Sequence, residues 1–403
     1  MRLGDICSKI GSGATPRGGK EAYSASGIPI IRSQNVLDWS FSSNGLAYLN
    51  DEQARTLSNV EVHQGDILLN ITGDSVARAC IVPSDVIPAR VNQHVAILRP
   101  KEKANATFIL AWLQTNKDLL LKLASSGATR NALTKRMLEG LDINLPSIDI
   151  QNHIAALISL IQSKINLNIK LNGYLLELAT TRFEQALFKS NRVVRLGDIV
   201  KLEDSKRVPL NSRDRDARKG PYPYYGATSI MDYVDDYLFD GIRVLLGEDG
   251  SVIDESGRPI LQYVWGKYWV NNHAHILAAA SDYSLEAIYI ALQRTPISHI
   301  VTGAVQRKIS QRNLNKLKLE MPDAKSLEYL QDIFAAYRCN CEENRGLVSL
   351  RDALLPKLMS GEIDVSKIDL MQLNSHLEKR KAAASVLSLI FPIALPGLWS
   401  PMQ

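Results

Sequence analysis

The chain has 403 residues, enough for two or three domains rather than one. Apolar residues make up 45% and charged residues 22%, a composition that excludes a disordered or fibrous chain. A formal charge of +5, from 47 basic and 42 acidic residues, permits a nucleic-acid partner without requiring one.

Residues 1–146 form the first predicted domain. The opening Met1–Gly11 lacks the apolar stretch of a signal peptide, so none is expected. Short apolar runs at Ile67–Ile71 and Val95–Leu98, set off by Gly, Asp and Pro, predict strands. Ala106–Leu123 predicts helix, and the domain reads as mixed α and β. Residues 147–190 read as one long helix. No proline interrupts Ile150–Phe188, and Gly173 is its one glycine. Ile154, Ile158, Ile161 and Ile165 follow the 4-3-4 spacing of a heptad seam, which then moves to Leu171, Leu175 and Leu178 as a stutter.

Residues 191–322 repeat the first domain. Arg2-Leu3-Gly4-Asp5-Ile6 recurs unchanged as Arg195-Leu196-Gly197-Asp198-Ile199. Further pairs follow in the same order at offsets of 176 to 179: Ser75-Val76 with Ser251-Val252, Asn92 with Asn271, Gly127-Ala128 with Gly303-Ala304, Arg136 with Arg312. Ordered matches of this kind mark an internal duplication. Val244–Leu246 and His275–Ala278 predict strands, and Ser284–Arg294 a helix. Residues 323–361 then form a second long helix. Its seam is Leu327, Leu330, Phe334, Tyr337 and Cys341, shifting to Leu347, Leu350, Leu354 and Leu358. A helix of the length expected here spans about 58 Å. Two such helices, each attached to one copy, are expected to pair antiparallel about an approximate two-fold axis. Residues 362–403 form a tail: basic Lys379, Arg380 and Lys381, then apolar residues broken by Pro392 and Pro396. It is too short for a full membrane span, and a docked or frayed tail is expected.

Several stretches together resemble the specificity subunit of type I restriction–modification enzymes, over about residues 1–365. They include Leu3-Gly4-Asp5-Ile6 with Gly11-Ser12-Gly13-Ala14-Thr15-Pro16, and Gly27-Ile28-Pro29-Ile30-Ile31-Arg32. Tyr224-Tyr225-Gly226-Ala227-Thr228 and Gly247-Glu248-Asp249-Gly250 look like pieces of a second target recognition domain. Leu354-Leu355-Pro356-Lys357-Leu358-Met359-Ser360-Gly361-Glu362-Ile363 looks like the end of the distal helix. The resemblance implies that each domain reads one half of a bipartite, asymmetric double-stranded DNA site. The helices then set the gap and dock two methyltransferase subunits, which restriction subunits join. It further implies a non-catalytic chain in the bacterial or archaeal cytoplasm. S-adenosylmethionine, ATP and Mg would be bound by the partners. The tail has no match in this pattern.

Side-chain chemistry agrees with a reader. No methyltransferase Asn/Asp-Pro-Pro-aromatic motif occurs. Gly13–Lys20 imitates a phosphate-binding loop, but the lysine falls one place late and Glu21 replaces Ser/Thr. The Glu248-Asp249 cluster lacks a nuclease-like Glu-x-Lys partner and reads as a turn. The four cysteines have no zinc spacing and read as free thiols. His94 and His273 fall at equivalent places and read as structural hydrogen-bonding groups.

Arg and Lys suit guanine, and Asn or Gln suit adenine, so polar loops nominate the contacts. In the first copy these are Arg32, Ser33, Gln34, Asn35, Arg78, Asn92 and Gln93, then Arg130, Lys135 and Arg136 in a basic loop. In the second they are Tyr224, Tyr225, Thr228, Asn271 and Asn272, then Arg307, Lys308, Gln311 and Arg312 in the matching loop. A basic stretch, Lys206, Arg207, Arg213, Arg215, Arg218 and Lys219, suits phosphate or plain solvation. A free-standing fused enzyme and a coiled-coil protein scaffold are the competing readings. The first needs a catalytic motif, and the second needs no salt-dependent DNA affinity.

Overall fold

A computed structural model describes residues 1–16, 18, 22–125, 131–303 and 307–365. Arg130, Gly127-Ala128, Ala304, Gln306, the end of the Gly13–Lys20 motif and the tail beyond residue 365 lie outside them. Two compact units divide the described chain. One holds Met1–Ile169 with the segment that begins at Cys341, and the other holds Lys170–Asn340.

In the first unit, strands β1 (Cys7–Ser12), β2 (Ile28–Ile31), β3 (Ala47–Leu49), β4 (Glu61–Val62), β5 (Ile67–Asn70), β6 (Ala79–Ile81), β7 (Ala89–Val91) and β8 (Val95–Pro100) build two four-stranded sheets. Their orders are β1-β8-β5-β6, all antiparallel, and β3-β2-β7-β4, with β2 and β7 parallel. Helices α1 (Leu3–Ile6), α2 (Asp51–Thr56), α3 (Ala106–Thr115), α4 (Lys117–Ser125) and α5 (Lys135–Glu139) complete the domain. The predicted helix over Ala106–Leu123 is thus two helices, broken at Asn116, whose side chain bonds back to the Trp112 carbonyl at 2.9 Å.

The second unit repeats both four-stranded sheets and adds two two-stranded pairs. Its strands are β9 (Arg192–Arg195), β10 (Val200–Leu202), β11 (Lys219–Tyr225), β12 (Ile230–Val234), β13 (Phe239–Asp240), β14 (Arg243–Gly247), β15 (Leu261–Val264), β16 (Lys267–Val270), β17 (Ala274–Ala279), β18 (Val301–Thr302), β19 (Lys308–Ile309) and β20 (Lys318–Met321). The orders β10-β17-β14-β15 and β12-β11-β16-β13 match the first unit's sheets, including the parallel pair β11–β16. The added pairs are β18–β19 and β20–β9. The repeated Leu-Gly-Asp-Ile has a packing cause. A Cβ at Gly4 would lie 3.2 Å from the Glu139 carbonyl oxygen, and one at Gly197 3.0 Å from that of Asn315. Glycine suits this close approach of each short helix to the next, since an added Cβ would force the neighbour to shift.

The long helices are α6 (Ile148–Lys189, 42 residues) and, after the short α7 (Leu196–Ile199), α8 (Ser212–Ala217), α9 (Leu285–Arg294) and α10 (Gln311–Asn315), α11 (Tyr329–Ser360, 32 residues). Within each unit α6 and α11 run antiparallel. In the first, Gln162 meets Arg351, while Asn168, further along α6, meets Glu343 and Asn344, earlier in α11. In the second, Asn172 meets Asn340 at 2.8 Å, while Ala179 and Phe183 share a cluster with Phe334 and Leu330.

The predicted stutters do not occur. The α6 seam stays in register through buried Asn168 and Asn172, and Leu171, Leu175 and Leu178 are only half-buried. The α11 seam likewise holds register, placing Arg351 inside at 8% exposure and Leu350 outside at 48%. Apolar spacing misleads here because polar side chains occupy seam positions. Their hydrogen bonds across the helices compensate burial, and such groups fix register at some cost in stability. The predicted seam residues Ile154, Ile158, Ile161, Ile165, Leu330 and Phe334 are buried, and Tyr337 is half-buried. Leu327 is buried in the domain core from a 3-10 turn before α11.

Candidate nucleic-acid interface

The same four backbone links gather the loops at one end of each domain. In the first, the Asn92 N–H donates to the Ile31 carbonyl at the end of β2 (3.0 Å), and the Asn92 side chain accepts from the His94 N–H (3.1 Å). The His94 carbonyl accepts from Ile71 N–H (3.0 Å), and the Ile71 carbonyl from Leu133 N–H (2.9 Å). In the second, Asn271 donates to Tyr225 (3.0 Å) and accepts from His273 (2.8 Å). Glu248 donates to His273 (2.8 Å), and Ile309 to Glu248 (2.9 Å). The loop after β2 or β11, the loop after β5 or β14, the β7–β8 or β16–β17 turn, and the segment before α5 or α10 therefore meet.

This arrangement corrects part of the sequence expectation. Asn92 and Asn271 are buried, because each closes the turn just described. Asn35 is fully buried, and its amide donates to the Ser42 and Asn44 carbonyls at 2.9 and 3.2 Å. Tyr224 and Tyr225 are buried strand residues that pair in parallel with Trp269 and Val270, just as Ile30 and Ile31 pair with Arg90 and Val91. None of these five presents its polar atoms outward. The exposed candidates are Gln34, Gln93, Lys135 and Arg136 in the first domain, and Thr228, Asn272, Arg307, Lys308, Gln311 and Arg312 in the second. Arg32, Ser33 and Arg78 are half-buried. Arg32 lies 5.5 Å from the Tyr23 ring centroid, bonds the Gly45 carbonyl, and leaves Nε without a partner among the described residues.

The family described as Type I restriction modification DNA specificity domain matches residues 1–175 and again 189–337. The chain belongs to this family. It is 30% identical over 127 residues to a putative type I restriction enzyme specificity subunit, S.HindORF215P, from Haemophilus influenzae, about a third of each chain. It is 22% identical to the type I restriction enzyme MjaIX specificity subunit from Methanocaldococcus jannaschii, over 91% of this chain and 94% of that one. The crystal structure of a type I restriction-modification S subunit from M. genitalium shares the fold, with a TM-score of 0.53 and 15% identity over 89% of this chain and 95% of that one.

The two specificity domains differ in what fills the shared scaffold. In the second, fully buried His275 bonds Asp204 through Nδ1 (2.6 Å) and the Ile309 carbonyl through Nε2 (2.8 Å). Both ring nitrogens lie within hydrogen-bond distance of oxygen atoms. Burial raises the Asp204 carboxyl, but hydrogen bonds from His275, Ile276 N–H and Gln311 outweigh it and hold it below the ordinary range. Burial and then Arg207, His275 and Lys308 act in the same opposed way on Glu248, which is also held low. Asp204, Glu248 and His275 lie close enough to hold a metal ion. Arg207 at 2.6 Å and Lys308 at 3.2 Å already neutralise Glu248, so the cluster is an ion-pair network as it stands.

Most of the expected phosphate-binding stretch is likewise committed. Lys206 pairs with Glu203, Arg207 with Glu248, Arg215 and Lys219 with Asp232, and Arg218 with Asp235. The sequence gives little sign of this, since these acidic partners lie 13 or more residues away except for Glu203. The predicted histidine role is structural: His94 Nδ1 bonds Thr72 at 2.6 Å and His273 Nδ1 bonds Asp249 at 2.7 Å. Gly13 serves strand crossing, since a Cβ there would lie 1.9 Å from the Val91 carbonyl oxygen. The four cysteines form no disulfide; burial pushes the Cys7 and Cys80 thiols up to about 12. No described helix is long and apolar enough to cross a membrane.

Proposed function

We propose that this chain is the DNA-reading subunit of a type I restriction–modification assembly, and that it performs no chemistry itself. Each specificity domain reads one half of a split, asymmetric duplex site through its loop end. The observation that carries this reading is the duplicated set of backbone links holding different outward side chains. Gln34 and Gln93 stand in one domain where Thr228, Asn272 and Arg307 stand in the other. A shared scaffold with different donors and acceptors suits two different short sequences. Lys135, Arg136 and Arg312, exposed beside the same loops, suit phosphate.

The helices hold the gap between half-sites and dock two methyltransferase subunits, which restriction subunits join. S-adenosylmethionine, ATP and Mg belong to those partners. The assembly works on cytoplasmic DNA. The test is to express the chain with its methyltransferase and map methylated bases in the host DNA. The expected motif has two unlike short halves with a fixed gap. A continuous motif, or an unmodified genome with an assembled complex, counts against the reading.

A further inference from the structure

The first specificity domain carries a loop, residues 32–46, between β2 and β3. One end of it holds Arg32, Ser33 and Gln34. Its middle holds Trp39, in the left-handed region at φ +63°, with its N–H bonded to the Ala79 carbonyl at 2.9 Å. An aromatic residue rarely adopts that backbone, so its surroundings must hold it. The neighbouring Asp38 accepts from Gln114 at 3.1 Å and pairs with Lys117. Buried Asn35 staples the loop across its width through Ser42 and Asn44. The Trp39 end and the Arg32 end therefore move together.

Arg351 of α11 lies 4.8 Å from the Trp39 ring centroid. It occupies a seam position followed by buried Leu355 and Leu358, where another leucine would serve helix pairing as well or better. Its guanidinium has three partners. Nε and a terminal nitrogen donate to Asp352 at 2.9 and 2.8 Å, another terminal nitrogen donates to Gln162 of α6 at 3.0 Å, and its face meets Trp39. It thus joins both helices to the reading loop. A planar guanidinium is the one side chain that stacks on an indole while bonding two polar groups in its own plane.

Among the described residues the second domain has no counterpart. Its hairpin turns tightly at residues 226–229, and α11 meets the domain through Arg338, which bonds Tyr263 in β15 and Glu286 in α9. Neither lies in a reading loop.

We propose that Arg351 is a positioning residue for the first half-site: through Trp39 it fixes the loop carrying Arg32, Ser33 and Gln34 against the helix pair. The inference rests on the DNA-reading role above. It makes recognition at one half-site, and not the other, depend on a residue in the spacer helices.

The test uses the full chain assembled with its methyltransferase. Methylation rates are measured on duplexes altered in the first half-site, in the second, or in the gap, alongside the thermal unfolding midpoint. Arg351→Leu is expected to lower discrimination at the first half-site at least tenfold. The second half-site, the gap preference and the midpoint should stay as in the wild type. Trp39→Leu should act alike, and Trp39→Phe, which keeps a ring face, should restore most of the discrimination. Equal loss at both half-sites, or full discrimination in Arg351→Leu, overturns the proposal. If Arg351→Leu fails to assemble, the contrast between Trp39→Leu and Trp39→Phe decides, and equal behaviour of those two overturns it. A wild-type complex without preference for a split site overturns the DNA-reading role itself, and this inference with it.

Discussion

The two specificity domains share a topology and a set of backbone links, yet they solve the reading end in opposite ways. The first builds outward, with a loop from residue 32 to 46 stapled by neutral amides such as Asn35 and Asn70. The second turns tightly at 226–229 and builds inward, with a buried charge network of Asp204, His275, Glu248 and Arg207 behind the 307–312 segment. Gln311 and Lys308 reach into that network, donating to Asp204 at 2.6 Å and pairing with Glu248 at 3.2 Å. A duplicated fold therefore keeps the parts that gather loops and varies what rigidifies them. Neutral amide staples tolerate a long loop. A charged network is stiffer but depends on the protonation of its members.

The comparison breaks most sharply if the loops are exchanged. Replacing residues 32–46 by the Gly226–Ser229 turn should abolish first half-site selectivity, a loss of at least a hundredfold, and leave the second intact. Methylation kinetics on half-site variants measure this, and loss at both would show that the domains are not independent readers. A smaller effect is expected from Arg307→Ala in the second domain. Removing one direct base contact costs about 1–3 kcal/mol, so selectivity at one position of the second half-site should fall several-fold to about a hundredfold. A uniform loss over all positions, with a shallower salt dependence, would instead place Arg307 on phosphate.

Acid should separate the domains least, but in a defined direction. Asp204 and Glu248 are held low in the folded state. The stability they contribute is present above the ordinary carboxylate range and is lost as pH falls through their depressed folded values. Hydrogen exchange followed downward from neutral pH should show the second domain's reading segment, around residues 307–312, opening before the first domain's 32–46 loop. Simultaneous opening would mean that the charge network does not rigidify that end.

Much of the molecule was legible in the sequence for reasons that lie in local physics. The unchanged Leu-Gly-Asp-Ile shows the duplication because its glycine sits where two short helices touch and an added Cβ would crowd the neighbouring backbone. Strands at Ile67–Asn70 and Val244–Leu246 follow from short β-branched and apolar runs between turn residues, and the long helices from an unbroken apolar period. What stayed illegible depends on partners distant in the chain. Asn92, Asn271, Tyr224 and Tyr225 look like contacts for DNA until the sheet pairs that bury them are known. Asn168, Asn172 and Arg351 look like surface residues, and the leucines beside them look like the seam. Only antiparallel pairing supplies the polar partners that offset much of the cost of burying these side chains. The sequence by itself determined two similar domains and two long helices. Tertiary structure decided which polar residues face outward to read and which face inward to hold the reader in place.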